Sequence, residues 1–184
     1  MSYPTVPAYI QTPKGWESRL KEHPVFDWMY DHHLLFDSGE MKTTPYNVWH
    51  TDDFTFTKSD GVTIAPGEQS WAVMWEQYAP FTKFTHEPAW LVIWETATGW
   101  ELTGYARLFA NLPVPGESIH EDVDGNKWDV QGHGMFQFTY VKDPSGPKGI
   151  KMGTFKLFAD PTPLFGEMIK RGMISGEDLL AKLA

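Results

Sequence analysis

The chain has no cysteine. That excludes disulfides, thiolate nucleophiles and cysteine-ligated zinc or iron–sulfur sites. It also lacks a long apolar run. Nothing approaches the roughly 20 residues that a membrane-spanning helix requires, so no membrane association is expected. Cations are scarce: 15 Lys and Arg stand against 24 Asp and Glu, for a formal charge of −9. The isoelectric point is about 5.1. With no cluster of Lys and Arg to reverse this locally, nucleic-acid binding through phosphates is not expected. The opening residues Met1-Ser2-Tyr3-Pro4-Thr5-Val6-Pro7 carry neither a basic segment nor an apolar core of a secretory signal. A cytoplasmic location is the expectation.

Cofactor signatures are missing too. There is no phosphate-binding glycine loop, no dinucleotide fingerprint and no G-x-S-x-G elbow. Seven histidines raise the question of a metal. Yet His32 and His33 should project from different faces of a helix, and no H-x-x-x-H or H-x-H pair occurs, so neither metal nor cofactor is expected. Asp122-Val123-Asp124-Gly125-Asn126 falls short of the full calcium-loop spacing and reads as a turn.

What the chain has in abundance is aromatic surface. Of its 184 residues, 41% are hydrophobic and 15% aromatic, including nine Trp, which is far from a disordered composition. Such a chain builds either a Trp-rich core or a flat-walled cavity. The length suits one domain spanning 1–184, with an arm at 1–22 and a helical segment at 164–184 that would cover a pocket.

The first strong amphipathic stretch runs from Val25 to Asp37. Pro24 suits the first helical position and Gly39 a left-handed cap, so a helix is predicted over about 24–38. Phe26, Tyr30, His33 and Asp37 recur at four, three and four residues, which places them on one face. That face starts apolar and ends in an imidazole and a carboxylate, as the wall of a partly polar pocket would. Residues 49–57 end in the strict alternation of a strand. Pro66-Gly67-Glu68 opens a second helix that Pro80 closes; its stripe of Trp71, Met74, Trp75, Tyr78 and Phe81 reads as plain core. Four long strands follow: Phe84–Glu95, Trp100–Leu112, Val130–Lys142 and Ile150–Ala159. Turns at Ala97-Thr98-Gly99 and 143–149 separate them, with a Pro/Gly/acid-rich loop over 113–129. Short helices over Leu164–Arg171 and Glu177–Leu183 end the chain. Tightly connected strands imply an antiparallel sheet, and helices gathered before it imply an α+β fold. A cone-shaped curved antiparallel sheet with N-terminal helices across its concave face is the expected architecture.

Phe36-Asp37-Ser38-Gly39, Phe84-Thr85-His86, and Gly132-His133-Gly134 followed by Phe138-Thr139-Tyr140-Val141-Lys142-Asp143 carry a resemblance. With the order of elements over roughly 24–170, they resemble the nuclear-transport-factor-2-like fold, and within it the scytalone dehydratase and polyketide cyclase group. The resemblance implies a helix carboxylate and a strand histidine acting together, roles that fall on Asp37 and His86. Three departures stand out. The family's second histidine has no counterpart, with Asn111 or Leu112 nearby. Phe56 stands where the family has a water-holding tyrosine. Phe136 and Phe138 stand near its polar Ser and Asn. Dehydration of scytalone itself does not fit this pattern.

Imidazole titrates near neutrality, and a carboxylate orients it and stabilises its charged form. The plain alternative is that Asp37 is a solvated helix-end carboxylate and His86 a turn residue before Glu87-Pro88. The expected substrate is small, compact, largely apolar and oxygenated: polyketide-, terpenoid- or aromatic-like. The expected reaction is a dehydration, isomerisation or cyclisation. Tyr30, His33 and Asn111 would hold oxygens, though His33 equally suits a satisfied core histidine. Phe56, Trp90, Phe136 and Phe138 would shape the cavity. Tyr105 shares a strand face with Arg107, which would either anchor a substrate anion or sit on the convex face. The alternative function is a non-catalytic ligand-binding or dimerisation module; the resemblance implies a homodimer through the convex sheet face.

Overall fold

Pro24 and Gly39 bracket the first helix as their chemistry dictates. In the computed structural model, which describes residues 6–183, Pro24 takes the first helical position, and Gly39 adopts φ 79° just past the end. Residues 1–5, the start of the stretch read above for a signal, lie outside the described residues, as does Ala184. The chain runs β1 (Ala8–Gln11), α1 (Pro24–Asp37), β2 (His50–Thr57), α2 (Glu68–Glu76), β3 (Lys83–Glu95) and β4 (Gly99–Asn111). It continues through β5 (His120–Glu121), β6 (Lys127–Trp128), β7 (Val130–Lys142), β8 (Ile150–Ala159), α3 (Thr162–Lys170) and α4 (Gly176–Leu183).

Six strands form one curved sheet in the order β1-β3-β4-β7-β8-β2. The four long strands pair antiparallel, as their connecting turns require. Three features depart from expectation. β2 joins β8 in parallel, a pairing that needs a long crossover, which the chain between Thr57 and Ile150 supplies. The 113–129 loop contains a small antiparallel ribbon, β5–β6. The arm is more ordered than an outer strap: β1 adds an edge strand to β3.

The sheet's alternation changes phase inside β3. Its register shifts between Pro88 and Trp90, where Pro88 pairs with Ala106 and Trp90 with Tyr105. Pro88 has no N–H to give the ladder, so a bulge there is the low-cost solution, and it bends the strand. Opposite this bend, Gly104 admits no side chain: a Cβ would lie 2.7 Å from Phe136 Cζ and 2.8 Å from the Trp90 carbonyl oxygen.

α1 and α2 lie across the concave face. Trp28 is fully buried and donates its indole N–H to the Ile150 carbonyl oxygen at 2.9 Å, tying α1 to β8. Phe26, Phe54, Phe56, Leu91, Ile93, Leu102 and Tyr140 complete the packed layer. Among the described residues, no helix is long and apolar enough to cross a membrane.

Candidate active site

Asp37 ends α1 and meets the start of β3. One carboxylate oxygen, Oδ1, lies 2.7 Å from His86 Nδ1. The other, Oδ2, accepts the His86 backbone N–H at 2.9 Å and the Thr85 hydroxyl at 3.0 Å. Three donors from two adjacent residues hold the carboxylate in one orientation. An ionised carboxylate only accepts, so Nδ1 carries a ring proton, and in the neutral ring the lone pair is then on Nε2. Nε2 in turn lies 3.0 Å from the Tyr78 hydroxyl. Tyr78 is buried; burial first and the Asp37 charge second push its phenol above the ordinary range, so it stays protonated. Trp16 braces the strand by donating its indole N–H to the His86 carbonyl oxygen at 2.9 Å, and it borders the same cavity as His86.

These groups border a cavity of about 680 Å³ between the sheet and helices α1, α2 and α3. Phe36, Phe136, Phe138, Phe155, Leu157, Leu164 and Phe165 give it apolar walls, while Asp37, His86, Tyr78, His32 and His50 contribute polar ones. His50 is fully buried; its Nδ1 faces the Tyr46 carbonyl oxygen at 3.0 Å and therefore donates. Burial drives His50 down to about 4, and drives His32 well below the usual imidazole range. Both rings are neutral at pH 7.

The structure brings Asp37, His86, His33, Phe136 and Phe138 to this cavity. His33 stacks on Trp16 with centroids 4.0 Å apart, and burial lowers its pKa while the Asp37 charge raises it. Tyr30, Phe56, Trp90, Tyr105 and Asn111 do not line it. Tyr30 is turned outward, edge-on to Trp16 at 5.9 Å, with the Lys21 ammonium 3.5 Å above its ring. Phe56 lies one layer back, behind Phe155 at 5.2 Å. The bulge after Pro88 puts Trp90 out of phase with His86, so it pairs with Tyr105 on the convex face. Tyr105 hydrogen-bonds His133, and Arg107 pairs with the buried Glu87; unlike Tyr105, both His133 and Arg107 also border the cavity. Asn111 Oδ1 accepts the Asp129 backbone N–H at 3.2 Å, which commits it to the loop.

The cavity face of α1 is Trp28, Met29, His32, His33, Phe36 and Asp37, rotated from the stripe expected at Phe26 and Tyr30. His32 and His33 both reach the cavity, because it spans more than the 100° between successive helix residues. Sequence reasoning passed over Tyr78. A hydroxyl in the otherwise apolar stripe Trp71, Met74, Trp75, Phe81 was the available signal, since a buried phenol needs a partner. His50 gave no such signal. The Asp122 carboxylate is consumed within its own turn, by the N–H groups of Asp124 and Asn126 and the Trp128 indole. Among the described residues, no three of His, Asp and Glu gather as a metal site would need.

No protein-family model and no curated protein matches this sequence. Solved structures do match in fold. A hexachlorocyclohexane dehydrochlorinase, LinA-type3 from Novosphingobium barchaimii LL02, superposes with a TM-score of 0.52 at 14% identity, covering 74% of this chain and 84% of its own. ActVI-ORFA from Streptomyces coelicolor gives 0.53 at 13% identity, covering 74% and 95%. The CaMKII hub of S. rosetta gives 0.51 at 17% identity, with the same coverage. The chain therefore has the nuclear-transport-factor-2-like fold: an α+β cone with helices over the concave face of a curved, mostly antiparallel sheet.

Proposed function

We propose that the protein is a cofactor-independent enzyme of the lyase or isomerase type, acting by proton transfer on a compact, largely apolar, oxygenated small molecule. The observation that carries this reading is the 2.7 Å Asp37–His86 contact on the wall of an aromatic cavity of about 680 Å³. A cavity of that volume encloses a molecule of drug size. His86 supplies the base, and Asp37 holds the ring in one tautomer and stabilises the imidazolium that forms. The apolar walls exclude water, so charge on the pair is felt strongly by a bound substrate. Dehydration, isomerisation and cyclisation of a polyketide-like carbonyl compound all begin with loss of a proton from carbon. The dehydrochlorinase among the similar structures supports an elimination, by analogy of fold only.

The dyad is tested with 5-nitrobenzisoxazole, a compact apolar probe that releases a coloured phenolate when its one acidic C–H is deprotonated. His86→Ala and Asp37→Ala should each lower kcat/KM at least about 100-fold, the scale of a general-base contribution. Wild-type rates in both folded variants would end the enzymatic reading.

One observation favours a second reading, that of a self-associating binding module. Trp90, Tyr105, Met135 and Phe158 lie side by side across β3, β4, β7 and β8 on the convex face, with Met135 and Phe158 exposed. Such a patch would suit a homodimer formed there. That reading predicts ligand binding without turnover.

A further inference from the structure

We propose that Tyr78 is itself a catalytic residue: its phenol oxygen receives the substrate proton while its own proton passes to Nε2 of His86. The proposal rests on the acid–base reading of Asp37 and His86, and adds the group that touches the substrate.

The argument starts from one lone pair. With Nδ1–H committed to Asp37, neutral His86 has a single in-plane lone pair, on Nε2. The Tyr78 hydroxyl occupies it at 3.0 Å. A substrate proton then reaches the imidazole in only two ways: through Tyr78, or after Tyr78 swings aside. The packing opposes the swing. The Tyr78 ring is held edge-on to Phe36 at 4.9 Å and tilted against Phe84 at 4.8 Å. Its backbone N–H is bonded to the Trp75 carbonyl oxygen at 3.0 Å, at the end of α2. Tyr78 also borders the cavity beside His86. Its hydroxyl oxygen, having donated its proton, still offers acceptor lone pairs.

The step balances without a further reactant. The substrate C–H bond breaks, an O–H bond forms on Tyr78, and the former Tyr78 proton forms N–H on Nε2. The C–H electron pair becomes the new π bond and expels the leaving group. The two transfers are concerted, because burial makes a free phenolate costly. Asp37 balances the imidazolium, and the reverse relay returns the proton to the leaving oxygen or to a new carbon. The arrangement extends the logic of a serine–histidine–carboxylate triad to a proton-abstracting phenol.

The test uses the whole chain and 5-nitrobenzisoxazole as the probe. Tyr78→Phe removes one oxygen and leaves the ring packing. We expect kcat to fall about 100-fold with KM within about twofold of wild type. We also expect a clear solvent deuterium isotope effect on wild-type kcat, since an exchangeable O–H proton is in flight; direct abstraction by imidazole moves none. Tyr78→Phe turnover at or above wild type, with His86→Ala inactive, would overturn the relay and leave the dyad standing. Full activity in His86→Ala would overturn the dyad as well. Should Tyr78→Phe fail to fold, a wild-type solvent isotope effect near unity would by itself overturn the relay.

Discussion

Lowering the pH from 7 to 4.5 should weaken the fold, because buried imidazoles, His50 among them, refuse a proton inside it. The ring is fully buried among Phe54 at 4.5 Å, Trp71 at 4.7 Å and His32 at 5.4 Å. Among the described residues its ring has one hydrogen bond, to the Tyr46 carbonyl oxygen, and burial depresses its pKa from 6.5 to about 4. In the unfolded chain the same ring titrates near 6.5. Between these values the unfolded state binds more protons, so falling pH favours unfolding. The contribution is complete above pH 6.5 and disappears as the pH approaches 4. Its size is about 3 kcal/mol, a large share of the roughly 5–15 kcal/mol that stabilises a domain. For a chain of this size that corresponds to about 10 °C in Tm. His32, also depressed by burial, adds in the same direction. Glu95, Glu167 and the other carboxylates with lowered values begin to add to the loss below about pH 5, equally in the wild type and in His50→Asn, so they cancel in the comparison. The assay is thermal melting followed by circular dichroism from pH 7.5 to 4.5, for the wild type and His50→Asn. Asparagine keeps a donor for the Tyr46 carbonyl but does not titrate, so the variant should have a shallower dependence of Tm on pH, the remainder belonging to His32. A flat wild-type profile, or an unchanged slope in His50→Asn, would refute the argument.

Two further outcomes follow from the packing. Arg171, whose side chain is almost covered, joins α3 to the 113–129 loop through Glu167 at 2.8 Å, Asp129 at 3.0 Å and the Val114 carbonyl at 2.7 Å. The site is shallow, so Arg171→Ala should cost about 2 kcal/mol rather than the full value of a deep ion pair; hydrogen exchange should accelerate in α3 and around Asp129 before it does in β7. Gly104→Ala drives a methyl into Phe136 and the Trp90 carbonyl, for a loss of about 2 kcal/mol in denaturant titration. Unchanged stability there would show that the bend in β3 relaxes more easily than its backbone contact suggests.

Local chemistry made much of the fold legible. Pro24 and Gly39 set the ends of α1 through backbone angles that other residues resist. β7 and β8 begin and end at the punctuation on either side of the 143–149 turn. The parallel β2–β8 pair was not legible, because a strand does not record the direction of its neighbour. Trp90 shows how a single residue redirects a reading. Counted from His86 by twos, it faces the cavity; the bulge at Pro88 moves it to the other face. The proline was visible, and its consequence for phase was the missed step. Asp37 was legible as the polar end of a helical stripe and its pairing with His86 only through resemblance of short motifs, while Tyr78 lay in a helical stripe that looked like core.

Composition alone determined that this chain works without thiols, carries excess negative charge and has aromatic surface enough to wall a cavity. Those properties belong to residues one at a time, or to neighbours along the chain. Only the tertiary structure decided which carboxylate meets which imidazole. Asp37 and His86 are 49 residues apart in sequence and 2.7 Å apart in space. Hydrogen bonds reach about 3 Å, so they report on folding rather than on order along the chain. The same holds for Tyr78, whose hydroxyl has a partner only because the end of α2 is packed against the first turn of the sheet.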